Sequence, residues 1–410
     1  MTRKDFLSTL AFAPLVAAGA KADPKEIMTA EPIRIVGPEI ARLDFTRTDG
    51  GLPLAPGIQT STVFRADKEH PEKSDGRGWT YHHHPDIACW KGRLYVGWDS
   101  CEMDEDTWPS RELYSTSTDG QNWTPPQELF PQGASTPLRV YFFHAPNGRM
   151  LAIAGLRVSQ ERTPESTKGG LVVREINADH TLGPVYTLRR PPEVPPTGAL
   201  PQSPLFINAK DAGFVTACQQ LLGNHLYLEQ QDNGKLLNPA DRIKWHDYSL
   251  WTGSETERPA EGEFGKAMCF FRRADGALVA VMKKRWVTVS HDDGKTWSQP
   301  VRPPSLITNM GKVWGQKTPG GRYILTYNPH ASLRYPLVLV TSRDGITFQD
   351  MHALHGPLPE VRYTGRAKSR GASYGRGISQ WASDGSRKDN AAWLVYSINK
   401  EEICVTCIPS

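Results

Sequence analysis

Residues Ser290-His291-Asp292-Asp293-Gly294-Lys295-Thr296-Trp297 constrain this chain more than any other stretch. They follow the β-rich run Trp286-Val287-Thr288-Val289 and have the form Ser-x-Asp-x-Gly-x-Thr-Trp. In a hairpin, Asp292 and Asp293 would accept backbone N–H groups, Gly294 would supply positive φ, and Trp297 would fold back as an apolar plug. Two degenerate copies recur. Thr341-Ser342-Arg343-Asp344-Gly345-Ile346-Thr347-Phe348 keeps the last aspartate, the glycine, the threonine and an aromatic, and Thr116 to Trp123 keeps Asp119, Gly120 and Trp123. A repeated turn-and-plug unit implies a repeated β module, and that implies a propeller.

Tight-turn signatures extend the repeat. Hairpins are expected at Ile87–Trp98, Val140–Ile153, Leu205–Thr216, Met268–Val281, Lys312–Leu325 and Tyr374–Tyr396, each with Gly, Asn or Asp at its turn. The turns recur at roughly 45–65-residue spacing, suited to blades of four antiparallel strands. Helical periodicity is nearly absent, and Pro-rich residues 189–204 suit an extended connection. The expected fold is therefore an all-β, six- or seven-bladed propeller of four-stranded blades. A seventh blade would join residues 31–80 to Ile403–Ile408, so that the chain ends close the ring.

The 410 residues, with 12 Trp, 36 Gly and 33 Pro, fit a single large domain with many turns. The net charge of +4 is spread along the chain, which disfavours nucleic-acid or membrane binding by bulk charge. Arg3 and Lys4, the apolar Phe6–Ala20 and Ala20-Lys21-Ala22 read as an export signal over residues 1–22. The expected protein is periplasmic or extracellular, without a membrane span, and monomeric. The basic start also resembles a twin-arginine signal. The 6 cysteines show no compact disulfide spacing, and strand alternation through Cys404-Val405-Thr406-Cys407 would put its thiols on opposite faces.

The Ser-x-Asp-x-Gly-x-Thr-Trp stretch matches the Asp-box, and with its two degenerate copies and the blade rhythm the chain resembles the sialidase superfamily of β-propellers, including BNR-repeat proteins. Supporting segments run from Trp79-Thr80-Tyr81-His82-His83-His84-Pro85 through Lys312-Val313-Trp314-Gly315-Gln316-Lys317 to Arg362-Tyr363-Thr364-Gly365-Arg366 and Tyr374-Gly375-Arg376. They are similar to exported bacterial propellers acting on polysaccharides, of the rhamnosidase and rhamnose–glucuronate lyase kind. Sialidases carry an Arg-Ile-Pro motif that begins a triad of arginines around the sialate carboxylate. Here Ile33-Arg34-Ile35-Val36 lacks the proline.

Propeller sites form where inner strands begin. Those positions include His82, His83, His84, Asp86, Arg139, Tyr141, Glu261, Glu263, Lys266, Lys312, Gln316, Tyr374 and Arg376. A ring of Arg, Lys and His suits an anionic sugar, because guanidinium forks a carboxylate. His83 or His84 is expected as general acid or base, with Tyr374 as proton donor and Glu263 as a carboxylate for glycoside chemistry. Asp104, Glu105 and Asp106 are further carboxylate candidates. Asp86, Arg139, Lys266, Lys312, Gln316, Arg362, Arg366 and Arg376 are expected to bind substrate, while Arg370 belongs to the same basic loop. Neighbouring histidines on a strand diverge, so no metal or other cofactor is expected.

The expected function is cleavage of a linkage at or beside a uronic acid in an acidic oligosaccharide or polysaccharide, by hydrolysis or β-elimination. The alternatives are an exo-sialidase and a non-catalytic glycan- or protein-binding propeller.

Overall fold

The computed structural model describes residues 31–105, 107–131, 139–156, 170–189, 203–232, 268–308, 311–378 and 390–410. The export signal expected over residues 1–22 lies outside them. Residues 32–410 form one compact unit.

Five sheets of three to five strands stand among the described residues, correcting the expected six or seven four-stranded blades. The first contains β3 (Tyr81–Trp90), β4 (Arg93–Cys101), β5 (Ser110–Ser117) and β6 (Gln127–Phe130). The second contains β7 (Val140–His144), β8 (Met150–Leu156), β9 (Gly170–Ile176) and β10 (Tyr186–Arg189). The third has only β11 (Cys269–Arg272), β12 (Leu278–Val281) and β13 (Val287–Ser290). In the fourth, β14 (Trp314–Lys317), β15 (Tyr323–Tyr327), β16 (Val338–Ser342) and β17 (Thr347–Ala353) are joined by β1 (Arg34–Ile35), parallel to β17. The fifth combines β18 (Ala372–Ile378), β19 (Ala391–Ile398) and β20 (Glu402–Pro409) with β2 (Gln59–Arg65). A strand from residues 31–80 does pair with the C-terminal strand, but this strand, β2, completes the fifth blade and builds no additional one.

The miscounted blade is helical. Residues expected as a hairpin at Leu205–Thr216 instead make a short 3-10 turn, Phe206–Asn208, and helix α1, Ala212–Leu222. Asp211 caps α1 by accepting the Gly213 and Phe214 N–H groups, and Arg149 fixes its carboxylate from 2.8 Å. An aspartate just ahead of glycine serves a tight turn and a helix N-cap equally well, so the local signal was ambiguous. Phe214, Ala217, Cys218 and Leu221 resolve it: their helical spacing buries one face against Tyr141, Ile153 and Leu188 of the second blade. Each large side chain so buried contributes about 1.5–3 kcal/mol. Helix α2 (His225–Asp232) then links two blades. Tyr227 donates its hydroxyl to the Phe142 carbonyl at 2.6 Å, and Gln230 accepts the Phe270 N–H at 2.9 Å.

The Asp-boxes work locally. Ser290 Oγ donates to Asp292 and accepts the Gly294 N–H, Asp292 accepts the Thr296 N–H, and Gly294 takes φ 85°. Ser342, Asp344 and Gly345 repeat this between β16 and β17, as do Ser117, Asp119 and Gly120 between β5 and β6. Phe348 is buried, and Trp123 reaches Ser61 of β2 at 3.0 Å, so the plugs staple strands together. Cys404 and Cys407 enter different cores, on opposite sides of β20.

One buried group works against stability. Glu112 on β5 is 0 % exposed, and among the described residues neither carboxylate oxygen has a hydrogen-bond partner. Burial pushes its pKa well above the ordinary 4.5. The folding penalty is therefore absent below about pH 4.5, where folded and unfolded states are both protonated. It grows as pH rises towards the folded-state value. Glu112→Gln should stabilise by up to about 3 kcal/mol at pH 7 and by almost nothing at pH 4. Urea midpoints at the two pH values test this. An equal shift at both, or destabilisation at pH 7, would contradict a neutral buried acid.

Candidate active site

The inner strands β3 and β18 carry matching irregularities. In β3 the register runs from His83 opposite Asp99 to Asp86 opposite Gly97, leaving His84 and Pro85 in a bulge. In β18 it runs from Ser373 opposite Ser397 to Arg376 opposite Val395, which sets Tyr374 and Gly375 against Tyr396 alone. His84 (φ 48°) and Tyr374 (φ 64°) both adopt left-handed backbone conformations, uncommon for residues with a Cβ. Bulges re-aim side chains, and such strain concentrates at functional positions. Here the two bulges bring the His83 and Tyr374 rings to 4.3 Å, and those of His84 and Tyr374 to 4.9 Å.

Cations gather on Tyr374. Lys283 Nζ donates to its hydroxyl at 2.6 Å. Lys283, Lys312 and Arg334 lie 4.7, 5.1 and 5.2 Å from the ring centroid. Burial alone would raise the phenol pKa, but the charges of Lys283 and Arg334 outweigh it and bring the value below 10. For Lys312, burial and then the neighbouring Arg376, Lys283 and Arg139 push its pKa well below the usual lysine range. A crowded cationic mouth of this kind is relieved by an anion.

Both histidines are neutral near pH 7. Burial, followed by nearby cations, takes their pKa values well below 6.5. With the imidazole neutral, the 3.1 Å contact of His84 Nδ1 with Asp99 is a hydrogen bond and not an ion pair. His84 Nε2 faces Glu105 at 3.6 Å, while His83 Nδ1 lies 2.5 Å from Ser397 Oγ. Neutral imidazoles suit accepting or relaying a proton better than supplying one as acid.

The remaining candidates divide. Asp86 and Arg376 are 4.0 Å apart, but both are tied into the interior: Asp86 accepts the Phe142 N–H at 3.0 Å, and Arg376 hydrogen-bonds Gln231 of α2. Arg139 precedes β7 and acts electrostatically on His84 and Lys312. Gln316 accepts the Trp314 indole N–H at 2.6 Å and is buried. Arg362 pairs with Glu401 and Glu402, Arg370 pairs with Glu360, and Arg366 is exposed on the loop bearing Ala367. These three do not join the cations around Tyr374. Glu263, Lys266, Glu261 and Asp106 lie outside the described residues.

Sequence reasoning missed Lys283, Arg334, Lys400 and Asp99. Lys400 is 3.5 Å from Glu105, and Glu105 was proposed only as one of several carboxylates. Arg34, in the nearest match to the sialidase motif, is exposed on β1 beside Thr347. It therefore sits on the strand outermost in the fourth blade, not with the cations at Tyr374.

Comparison with known proteins agrees with this architecture. Residues 31–236 match the family described as BT_1020-like, N-terminal beta propeller. A solved sialidase is 29% identical, with a TM-score of 0.76 over 92% of this chain and 35% of its own. The chain thus spans about a third of that sialidase's length. A Trypanosoma rangeli sialidase mutant displaying trans-sialidase activity is 14% identical with a TM-score of 0.47, covering 87% of this chain and 60% of its own. No curated protein matches. The chain belongs to the BT_1020-like N-terminal beta-propeller family, within the sialidase superfamily of propellers.

Proposed function

We propose that the protein is a carbohydrate-active enzyme that hydrolyses the glycosidic linkage of an anionic sugar, in the manner of a sialidase-type glycosidase. The observation that carries this reading is the Tyr374 hydroxyl, bonded by Lys283 and ringed by Lys312 and Arg334. The 29%-identical structure is a sialidase, which favours hydrolysis over elimination. Lys312 and Arg334 would hold the sugar carboxylate, replacing the three-arginine clamp with a mixed one.

Tyr374, with its phenolate favoured by Lys283 and Arg334, then attacks the anomeric carbon as the bond to the leaving oxygen breaks. Glu105 gives the leaving oxygen its proton and afterwards takes one from the water that releases the sugar. His84, anchored on Asp99, faces Glu105 and steadies it. Export of the protein to meet such a glycan is part of the same proposal.

The deciding experiment is incubation with sialosides and with uronate-containing oligosaccharides. Hydrolysis releases free acidic sugar and a reducing end without new ultraviolet absorbance. New absorbance from an unsaturated uronate would replace this reading with a lyase. Binding without turnover across the panel would replace it with a recognition propeller.

A further inference from the structure

At the same end of the strands as the bulges, a second polar cleft of about 300 Å³ opens between the first and fifth blades. Its walls include Lys68, Arg77, Trp79, Glu102, Tyr363 and Thr364. Nothing in the reaction outlined above uses them.

The cleft is held open by buried ionic contacts. Asp75 accepts the N–H groups of Arg77 and Gly78 at 2.9 and 2.7 Å and pairs with Arg111 at 2.6 Å, which fixes the loop carrying Arg77 and Trp79. The guanidinium groups of Arg77 and Arg111 lie 5.1 and 4.8 Å from the Trp79 ring centroid. Opposite, buried Glu401 accepts the Arg362 and Tyr363 N–H groups and binds Lys368 Nζ, which also donates to the Thr80 carbonyl at 2.8 Å. Tyr363 donates its hydroxyl to Glu69 and accepts the Lys68 N–H. The polar groups are thus set before any ligand arrives, which lowers the entropic cost of binding one.

The cleft and the Tyr374 mouth share their dividing wall. Glu102 lines the cleft and Glu105 faces His84, so at most about 10 Å of extended chain separates them. Between them Asp104 accepts the Ala367 N–H at 2.8 Å, tying this wall to the loop that carries Tyr363 and Thr364. The volume matches the lower end of small-ligand pockets, enough for about one sugar ring.

The geometry points to a second glycan subsite: the cleft takes a further sugar unit of the same acidic chain whose terminal sugar occupies the Tyr374 mouth. Lys68 supplies positive charge for its anionic groups, beside Arg77, which also pairs with Glu128 at 3.6 Å, and Glu102, Tyr363 and Thr364 face its hydroxyls. The inference rests on the proposed glycosidase reading, and it makes the enzyme prefer oligosaccharides to single sugars.

The test uses the full chain labelled at its tryptophan indoles and tyrosines. NMR shifts are followed with sialic acid, galacturonic acid, sialyl-oligosaccharides and oligogalacturonates as probes. An oligosaccharide that moves both Tyr374 and Trp79, while its monosaccharide moves Tyr374 alone, is the expected result. The variant Lys68→Ala/Arg77→Ala should then weaken oligosaccharide binding by about tenfold and leave monosaccharide binding unchanged. Movement of Tyr374 alone by every oligosaccharide overturns the subsite but keeps the site reading. Movement of Trp79 alone makes the cleft a separate site and overturns the shared-chain proposal. If no probe moves either residue, both readings fail together.

Discussion

Replacing Tyr374 with phenylalanine should lower kcat/KM for the proposed glycan hydrolysis by about 10³-fold while leaving the protein folded. The ring stays, so the contacts with His83 and His84 at 4.3 and 4.9 Å persist, and only the hydroxyl bonded to Lys283 is removed. Lys283→Met supplies the complementary result. It deletes a charge and a hydrogen bond that lower the phenol pKa, so the value should rise. Activity near neutral pH should fall and recover partly as pH increases, because the phenolate then forms only at higher pH. Measuring kcat/KM against pH for both variants distinguishes a reacting phenolate from a structural ring. A Tyr374→Phe protein with near-normal turnover would remove Tyr374 from the mechanism.

Arg111→Met should destabilise the fold by roughly 3–5 kcal/mol, the expected loss when one member of a buried ion pair is removed. Asp75 is fully buried in the pair, and Arg111 also donates to the Asp75 backbone carbonyl at 2.8 Å. Without the guanidinium, a buried carboxylate is left uncompensated. The double variant Asp75→Leu/Arg111→Met should recover only part of the loss, because Asp75 also caps the Arg77 and Gly78 N–H groups. Urea unfolding of the two variants measures the difference. A single variant within about 0.5 kcal/mol of the parent would contradict a buried, paired carboxylate.

The two variants probe parts of the molecule that differed in legibility. The Asp-boxes were readable because every bond in them closes within a few residues. Ser290, Asp292, Gly294 and Thr296 satisfy one another whatever lies beyond the turn. The loop around Asp75 offered no such signal, since its partner Arg111 lies on β5. The blade count failed at Asp211-Ala212-Gly213, where turn chemistry and cap chemistry coincide. The spacing of Phe214, Ala217, Cys218 and Leu221 was in the sequence, and the face it buries exists only once the second blade is in place.

The same division applies to the site. His83, His84, Lys312 and Tyr374 could be named from their places at the starts of inner strands. Arg362 and Arg366 looked equivalent to Arg376 by spacing, yet Glu401 and Glu402 hold Arg362 elsewhere and Arg376 is drawn into the interior by Gln231. Lys283 and Arg334 carried no motif.

Local hydrogen bonding and alternation were enough for the sequence by itself to determine the turn-and-plug units, the all-β class and a strand within residues 31–80 beside the C-terminal strand. Tertiary structure alone decided the number of blades and the cations that surround Tyr374. Its hydroxyl is bonded by a lysine 91 residues away, and a charge acts through distance and dielectric, not through sequence separation.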